Sequence, residues 1–247
     1  MDTKREHLYC NEDNSSTVKI DYPEQWEVFE PFAKKYPDLC LQFDGIADKK
    51  WKNEKVKILF LLKDSYRYED KRVFLDRYVM DDVLKKDFIP KDRTWKRIYD
   101  WNNAIRISLG LGEVADLKNI AFMNLSKIAC DERISKNTRP NTLAYAITED
   151  KEELLNQYNK INPNIVVCGN TGSYLFKLLG YDLEKIQEGT IFKGKIRNRN
   201  RLFLYRIDGV WIFDAYHPSW GGTSAQDFVE VINKNLKKFN LDFLNYN

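Results

Sequence analysis

The chain has 247 residues, of which 43% are apolar and 31% charged, with a net charge of +3. This balance does not argue for a disordered chain and does not by itself demand nucleic acid, although a basic cleft can sit inside a balanced total. The 14 Phe, 14 Tyr and 6 Trp can build a sizeable core, while 11 Gly and 7 Pro are too few for long flexible linkers.

Cys10, Cys40, Cys130 and Cys168 are far apart, and the only histidines are His7 and His217. No CxxC or Cys/His spacing exists, so no zinc or iron–sulfur site is expected, and the Gly-x-Gly-x-x-Gly and Walker patterns are absent, so no nucleotide cofactor is expected. The cysteines read as reduced thiols of a cytoplasmic protein, with Cys168 inside a core strand. No apolar run approaches the roughly 20 residues of a membrane span. The polar N-terminus has no apolar core of a secretion signal. No internal repeat or low-complexity segment is present.

In chain order, residues 1–17 read as a loose polar tail, and 18–247 as a single domain. Tyr22-Pro23-Glu24 opens a helix carrying Trp26, Phe29, Phe32 and Ala33, ended by Tyr36-Pro37-Asp38. Asp44-Gly45 marks a turn. Ile58 to Leu62 is an unbroken apolar run between charged residues, the pattern of a strand buried on both faces. It ends in Lys63-Asp64-Ser65-Tyr66.

A helical pattern with Val73, Phe74, Tyr78, Val79, Val83 and Leu84 follows, broken at Ile89-Pro90. Thr94 is a plausible cap for a helix from Trp95 to Leu109. Asn119 to Asn124 is a second strand, 131–140 a basic loop, and Asn141 or Thr142 begins a helix reaching Ile161. Ile165 to Cys168 is a third strand. Gly169-Asn170-Thr171-Gly172 then leads into a helix closed by Gly180. Lys193 to Arg201 is a basic run, read as a solvated hairpin or a phosphate-binding edge. Strands at 202–205 and 210–213 flank Asp208-Gly209, a strong hairpin signal. A last helix runs from Ala225 to about Phe239. Alternating strands and helices predict an α/β fold: a three-layer α/β/α sandwich around a four-stranded, mostly parallel sheet.

Ligands of open α/β sheets bind outside the carboxyl ends of the strands. Four strands end there in polar residues: Lys63-Asp64-Ser65-Tyr66, Asn124-Leu125-Ser126-Lys127, Gly169-Asn170-Thr171-Gly172 and His217-Pro218-Ser219. A carboxylate at such an edge can position water or stabilise a developing cation. A carboxamide can read a donor and an acceptor on a planar ring. A histidine can donate to a departing anion.

This set resembles the uracil-DNA glycosylase superfamily. Lys63-Asp64-Ser65-Tyr66-Arg67 stands where the best-known branch has Gln-Asp-Pro-Tyr-His. Phe122-Met123-Asn124 matches the strand ending in a base-reading Asn, and His217-Pro218-Ser219 matches the His-Pro-Ser motif. Trp95-Lys96-Arg97-Ile98-Tyr99 resembles the helix between the first two motifs. The likeness covers about 55–240. Lys63 replaces Gln, Leu62 replaces Gly and Ser65 replaces Pro, so the backbone around Asp64 is expected to differ, and substrate preference and activity do not simply carry over.

The resemblance implies base excision from DNA by a cytoplasmic monomer that needs neither metal nor cofactor. A nucleotide is flipped out and its N-glycosidic bond hydrolysed. Asp64 would stabilise the oxocarbenium-like sugar and orient water, and neutral His217 would donate to the base oxygen. Asn124 would read the base edge, Tyr66 would wall the pocket, and Phe74 or Tyr78 would stack on the base. Lys63, Ser126, Lys127, Asn170, Thr171 and Ser219 would contact DNA. Trp220, on a Gly-rich loop, would enter the base stack.

Each residue also has a structural role open to it. His217 can serve the turn before Pro218, Asn124 can end its strand, Tyr66 and Trp220 can be core, and Gly169 to Gly172 can be a turn without a ligand. Two other functions fit the same residues: an inactive member of the fold that binds DNA or a protein, and a hydrolase of free nucleosides or nucleotides.

Overall fold

The computed structural model describes residues 6–8, 17–19, 30–35, 44–63, 66–67, 93–127, 130–131, 143–196 and 200–243. Its centre is a seven-stranded mixed sheet. The strands are β3 (Gly45–Ile46), β4 (Ile58–Leu62), β6 (Ile120–Asn124), β8 (Ile165–Gly169), β9 (Thr190–Ile196), β10 (Asn200–Ile207) and β11 (Val210–Ala215), in spatial order β3-β6-β4-β8-β11-β10-β9. The four inner strands β6, β4, β8 and β11 are parallel. The expected four-stranded sheet is therefore extended by antiparallel β3 on one side and by β10 and β9 on the other. Two residues of β3 carry too little pattern to announce a strand.

Every residue of β4, β6 and β8 is buried, because helices pack on both sides of the sheet. On one face Leu59, Leu61, Met123, Val166 and Ile212 share a core with Leu154 and Ile161 of α4 (Lys151–Ile161) and Leu175 of α5 (Gly172–Leu179). On the other, Phe60, Phe122, Val167, Trp211 and Phe213 pack with α2 (Arg93–Ser108) and α7 (Ala225–Phe243). The strict alternation of partners along each strand follows from the two-residue period of side-chain direction. Trp211 stacks on Phe239 with ring centroids 3.8 Å apart, and Trp95 meets Phe122 edge-on at 5.2 Å.

Local chemistry sets the element ends. The φ values of Asp208 and Gly209 are 50° and 80°, the paired left-handed conformation of a tight hairpin turn joining β10 and β11. The backbone N–H and hydroxyl of Ser224 both donate to the Asp227 carboxylate, at 2.6 and 2.9 Å, fastening the start of α7. The helix expected from 141 or 142 to 161 is two segments, α3 (143–149) and α4, with Asp150 between them. Asp150 is buried and pairs with Lys35 of α1 (Glu30–Lys35) at 2.9 Å. A short helix, α6 (Leu183–Glu188), was not anticipated.

The stretch read as a loose tail contains β1 (Glu6–Leu8), which pairs antiparallel with β2 (Thr17–Lys19). Thr17-Val18-Lys19-Ile20 alternates polar and apolar residues, and that period favours a strand over a tail. A second small pair, β5 (Tyr66–Arg67) with β7 (Cys130–Asp131), is parallel. Among the described residues no helix is long and apolar enough to cross a membrane. The helical pattern expected around 73–84 lies outside the described residues.

Candidate functional site

The ends of the four parallel strands align. Asn124 is level with Leu62, and Gly169 with Ala215. Leu61 is level with Cys168, which brings Leu62 and Gly169 into the same row. Beyond this row the chain stays stitched together. The Leu125 N–H donates to Leu62 O at 3.1 Å, Ser126 N–H to Lys63 O at 2.9 Å, and Asn170 N–H to Ala215 O at 2.8 Å.

His217 lies two residues past Ala215, close over Gly169. A Cβ on Gly169 would stand 3.0 Å from Pro218 Cδ, 3.1 Å from Leu62 Cδ2 and 3.5 Å from His217 Cδ2. Glycine at 169 leaves room for Pro218 and Leu62 to close over the strand end, and the imidazole lies at ordinary contact distance beside them. The Ser219 backbone N–H donates to His217 Nδ1 at 3.2 Å, and Ser219 Oγ lies 2.7 Å from the same nitrogen. A backbone N–H can only donate, so Nδ1 is the lone-pair side and the neutral ring carries its proton on Nε2. That is the form able to donate a hydrogen bond from Nε2.

Two carbonyls of the turn that follows are gripped from α2. Arg97 Nη1 donates to Pro218 O and to Trp220 O, each at 2.6 Å. Trp220 N–H closes the turn on His217 O at 2.8 Å. Trp220 itself is 70% exposed, which removes it from the core. A Cβ on Gly222 would stand 2.2 Å from Tyr216 Cδ2, so the ring of Tyr216 fixes the far end of the loop against the glycine backbone.

Three expected DNA contacts sit inside the protein. Lys127 is fully buried. Its ammonium lies 2.8 and 2.7 Å from the two carboxylate oxygens of Asp44, which is equally buried. The same carboxylate accepts from Asn124 N–H at 2.6 Å and from Gln157 Nε2 at 2.7 Å. Each oxygen thus receives two donors. The Phe32 ring centroid lies 5.0 Å from the ammonium. A lysine committed this way cannot reach a phosphate.

Thr171 is also fully buried, and its hydroxyl donates to Leu61 O at 2.8 Å. Ser126 is buried as well. The start of α5, where the sequence places the expected DNA contacts Asn170 and Thr171, is filled from within. Gly172 N–H donates to the buried Asp214 carboxylate at 3.2 Å, and a Cβ on Gly172 would stand 2.6 Å from Asp214 Cγ. Asp214 answers the helix dipole itself.

Asn124 is buried at the end of β6, Lys63 is half-buried at the end of β4, and Asn170 is half-buried with φ of 60°. Tyr66 aligns with Cys130 in the small parallel pair. Asp64, Phe74 and Tyr78 lie outside the described residues. Cys168, fully buried, is no nucleophile: burial, reinforced by Asp214, pushes its thiol well up, so the thiolate is disfavoured. Among the described residues no group of three His, Cys, Asp or Glu side chains is placed to hold a metal ion.

Sequence reasoning missed Asp44, Gln157 and Asp214. No local pattern marks an acid whose partners lie 80, 83 and 113 positions away. No protein-family model matches the chain, and no curated protein sequence matches it.

One stability test follows from the buried pair. Asp44→Ala removes a fully buried carboxylate held against the Lys127 ammonium and should lower unfolding free energy by about 3–5 kcal/mol in denaturant titration. The paired change Asp44→Leu with Lys127→Met removes both charges and should recover a large part of that loss. Equal losses in the single and double variants would contradict this account.

Proposed function

We propose that the protein is a DNA glycosylase with a uracil-DNA glycosylase-like α/β/α fold. In this reading it acts in the cytoplasm as a monomer without metal or cofactor. It flips a damaged or deaminated base out of DNA and hydrolyses its N-glycosidic bond. The observation that carries the reading is the His217 turn. A neutral imidazole is held with its lone pair on Ser219 and its proton on Nε2, beside the row containing Asn124 and the end of β4.

The chemistry needs a group that favours the departing base as negative charge grows on it. A donating Nε2–H meets that need at no cost in net charge. Asn124, at the end of β6, has the carboxamide suited to the hydrogen-bonding edge of a base. Asp64, directly after Lys63, is assigned the carboxylate that orients water and stabilises the sugar cation. Trp220, exposed on a loop tied to α2, is assigned to the gap left in the base stack.

The decisive experiment is a panel of oligonucleotides carrying uracil, hypoxanthine, oxidised or alkylated bases, with abasic sites scored. Wild type should release at least one base. Asp64→Ala should be slower by about 10²–10⁴-fold, and His217→Ala by about 10²–10³-fold. DNA binding without release of any base would point to an inactive member of the fold. Release from free nucleosides alone would point to a small-molecule hydrolase.

Trp220→Ala gives a separate readout. Aromatic stacking on a base is worth about 1–3 kcal/mol. Binding and turnover should therefore weaken much more on duplex than on single strands, where no stack has to be opened. Thermal stability should stay near that of wild type. An equal loss on both substrates would remove the wedge role.

A further inference from the structure

The first two turns of α2 carry Arg93 and Arg97 four residues apart, on one helix face. Both point at the same loop. The Nη2 atoms of Arg93 and Arg97 lie 3.6 and 3.7 Å from where a Cβ on Gly221 would stand. Like charges at this spacing repel. Among the described residues neither guanidinium forms an ion pair that would offset this. Burial and the neighbouring Arg93 together lower the affinity of the Arg97 guanidinium for its proton.

Arg97 divides its donors. Nη1 is committed to Pro218 O and Trp220 O, while Nη2 faces Gly221 together with Arg93. Arg93 and Gly221 are exposed. The place between them is thus open to solvent, bordered by two cationic groups, and left empty by a residue with no side chain. An anion there relieves the repulsion and finds guanidinium donors on two sides.

The neighbouring residue identifies the class of anion. Trp220 adjoins Gly221 and is exposed, so the loop offers a stacking face next to the cationic one. A flat aromatic beside paired arginines suits a nucleic-acid strand, whose bases and phosphates alternate. A carboxylate-bearing protein surface would use the cations and leave the indole idle.

We propose that Arg93 and Arg97, facing Gly221, form a binding site for one backbone phosphate of the DNA strand whose base stack Trp220 enters. This deepens the glycosylase reading and rests on it. Arg97 then serves twice, holding the His217–Trp220 turn through Nη1 and the strand through Nη2. Phosphate binding would thereby be coupled to the position of the loop.

The test measures binding of the full chain to duplex oligonucleotides from about 50 to 200 mM salt, the range over which phosphate contacts dominate affinity. The variants are Arg93→Gln, Arg93→Lys and Gly221→Asp, each checked for an unchanged unfolding midpoint. Each phosphate contact contributes about 0.9 to the slope of log K against log salt. Arg93→Gln and Gly221→Asp should each reduce the slope by about that amount, and Arg93→Lys should keep most of it.

An unchanged slope in Arg93→Gln, with wild type still binding DNA, overturns this site and leaves the glycosylase reading intact. Failure of wild type to bind or act on any oligonucleotide overturns both. A poly-glutamate arm and an inorganic phosphate arm complete the design. Loss of poly-glutamate binding in Arg93→Gln, with DNA binding unaffected, would assign the cations to an acidic protein and overturn the proposal. Competition by inorganic phosphate that weakens wild-type DNA binding and spares Arg93→Gln supports it.

Discussion

The Asp44 carboxylate is the constraint on which the carboxyl end of the parallel strands depends. It is fully buried and so is the Lys127 ammonium it holds. Removing two charges from water costs several kcal/mol per ion, and their attraction offsets this only with good geometry and full hydrogen bonding. Both conditions are met here, with two donors on each oxygen. A well-packed apolar pair would serve stability as well. The ionic pair differs in being directional. It fixes the backbone of Asn124 and the chain through Lys127, and Ser126 in turn pairs with Lys63 at the end of β4. The edge carrying the proposed chemistry is therefore clamped from beneath by a group that never meets solvent.

The neighbouring end of β8 follows a different logic. At the start of α5 the chain supplies its own anion, Asp214, and seals the junction by placing glycine where a methyl group would collide. Thr171 spends its hydroxyl on the Leu61 carbonyl. The helix end to which sequence reasoning assigns two DNA contacts is thus an internal joint. Under the proposed phosphate site, attraction for an anion comes from Arg93 and Arg97 of α2, which face Gly221. Division of labour between a neutral sheet edge and a cationic helix is consistent with a total charge near balance.

Much of the fold was legible in the sequence because its signals are local. Unbroken apolar runs mark β4, β6 and β8. The helix read from Trp95 to Leu109 and the Asp208-Gly209 hairpin also match the structure within a few residues. What sequence reading missed depends on long-range pairing. A lysine three residues past a strand reads as a surface cation, and nothing near it discloses that its partner is an acid 83 positions earlier. The two residues of β3 exist as a strand only because β6 is there to pair with them. At the site, the polar strand ends were legible as a group. The form of His217 was not, since it is set by the way the backbone returns Ser219 N–H to Nδ1.

The two edges of the seven-stranded sheet are unalike, and neither invites another strand. β3 is only two residues long, too short a template for lateral addition. β9 is longer, but its register with β10 shifts between Leu204 and Tyr205, leaving Ile191 unmatched opposite them. Such a bulge twists an edge away from flat pairing, and the exposed Lys193 adds charge to the same strand. A sheet whose buried strands are mostly apolar would be prone to grow edge to edge if its borders were long and flat. Here one border is too short and the other too bent and charged for that growth, so a crowded solution of these molecules is protected by geometry at the sheet's margins.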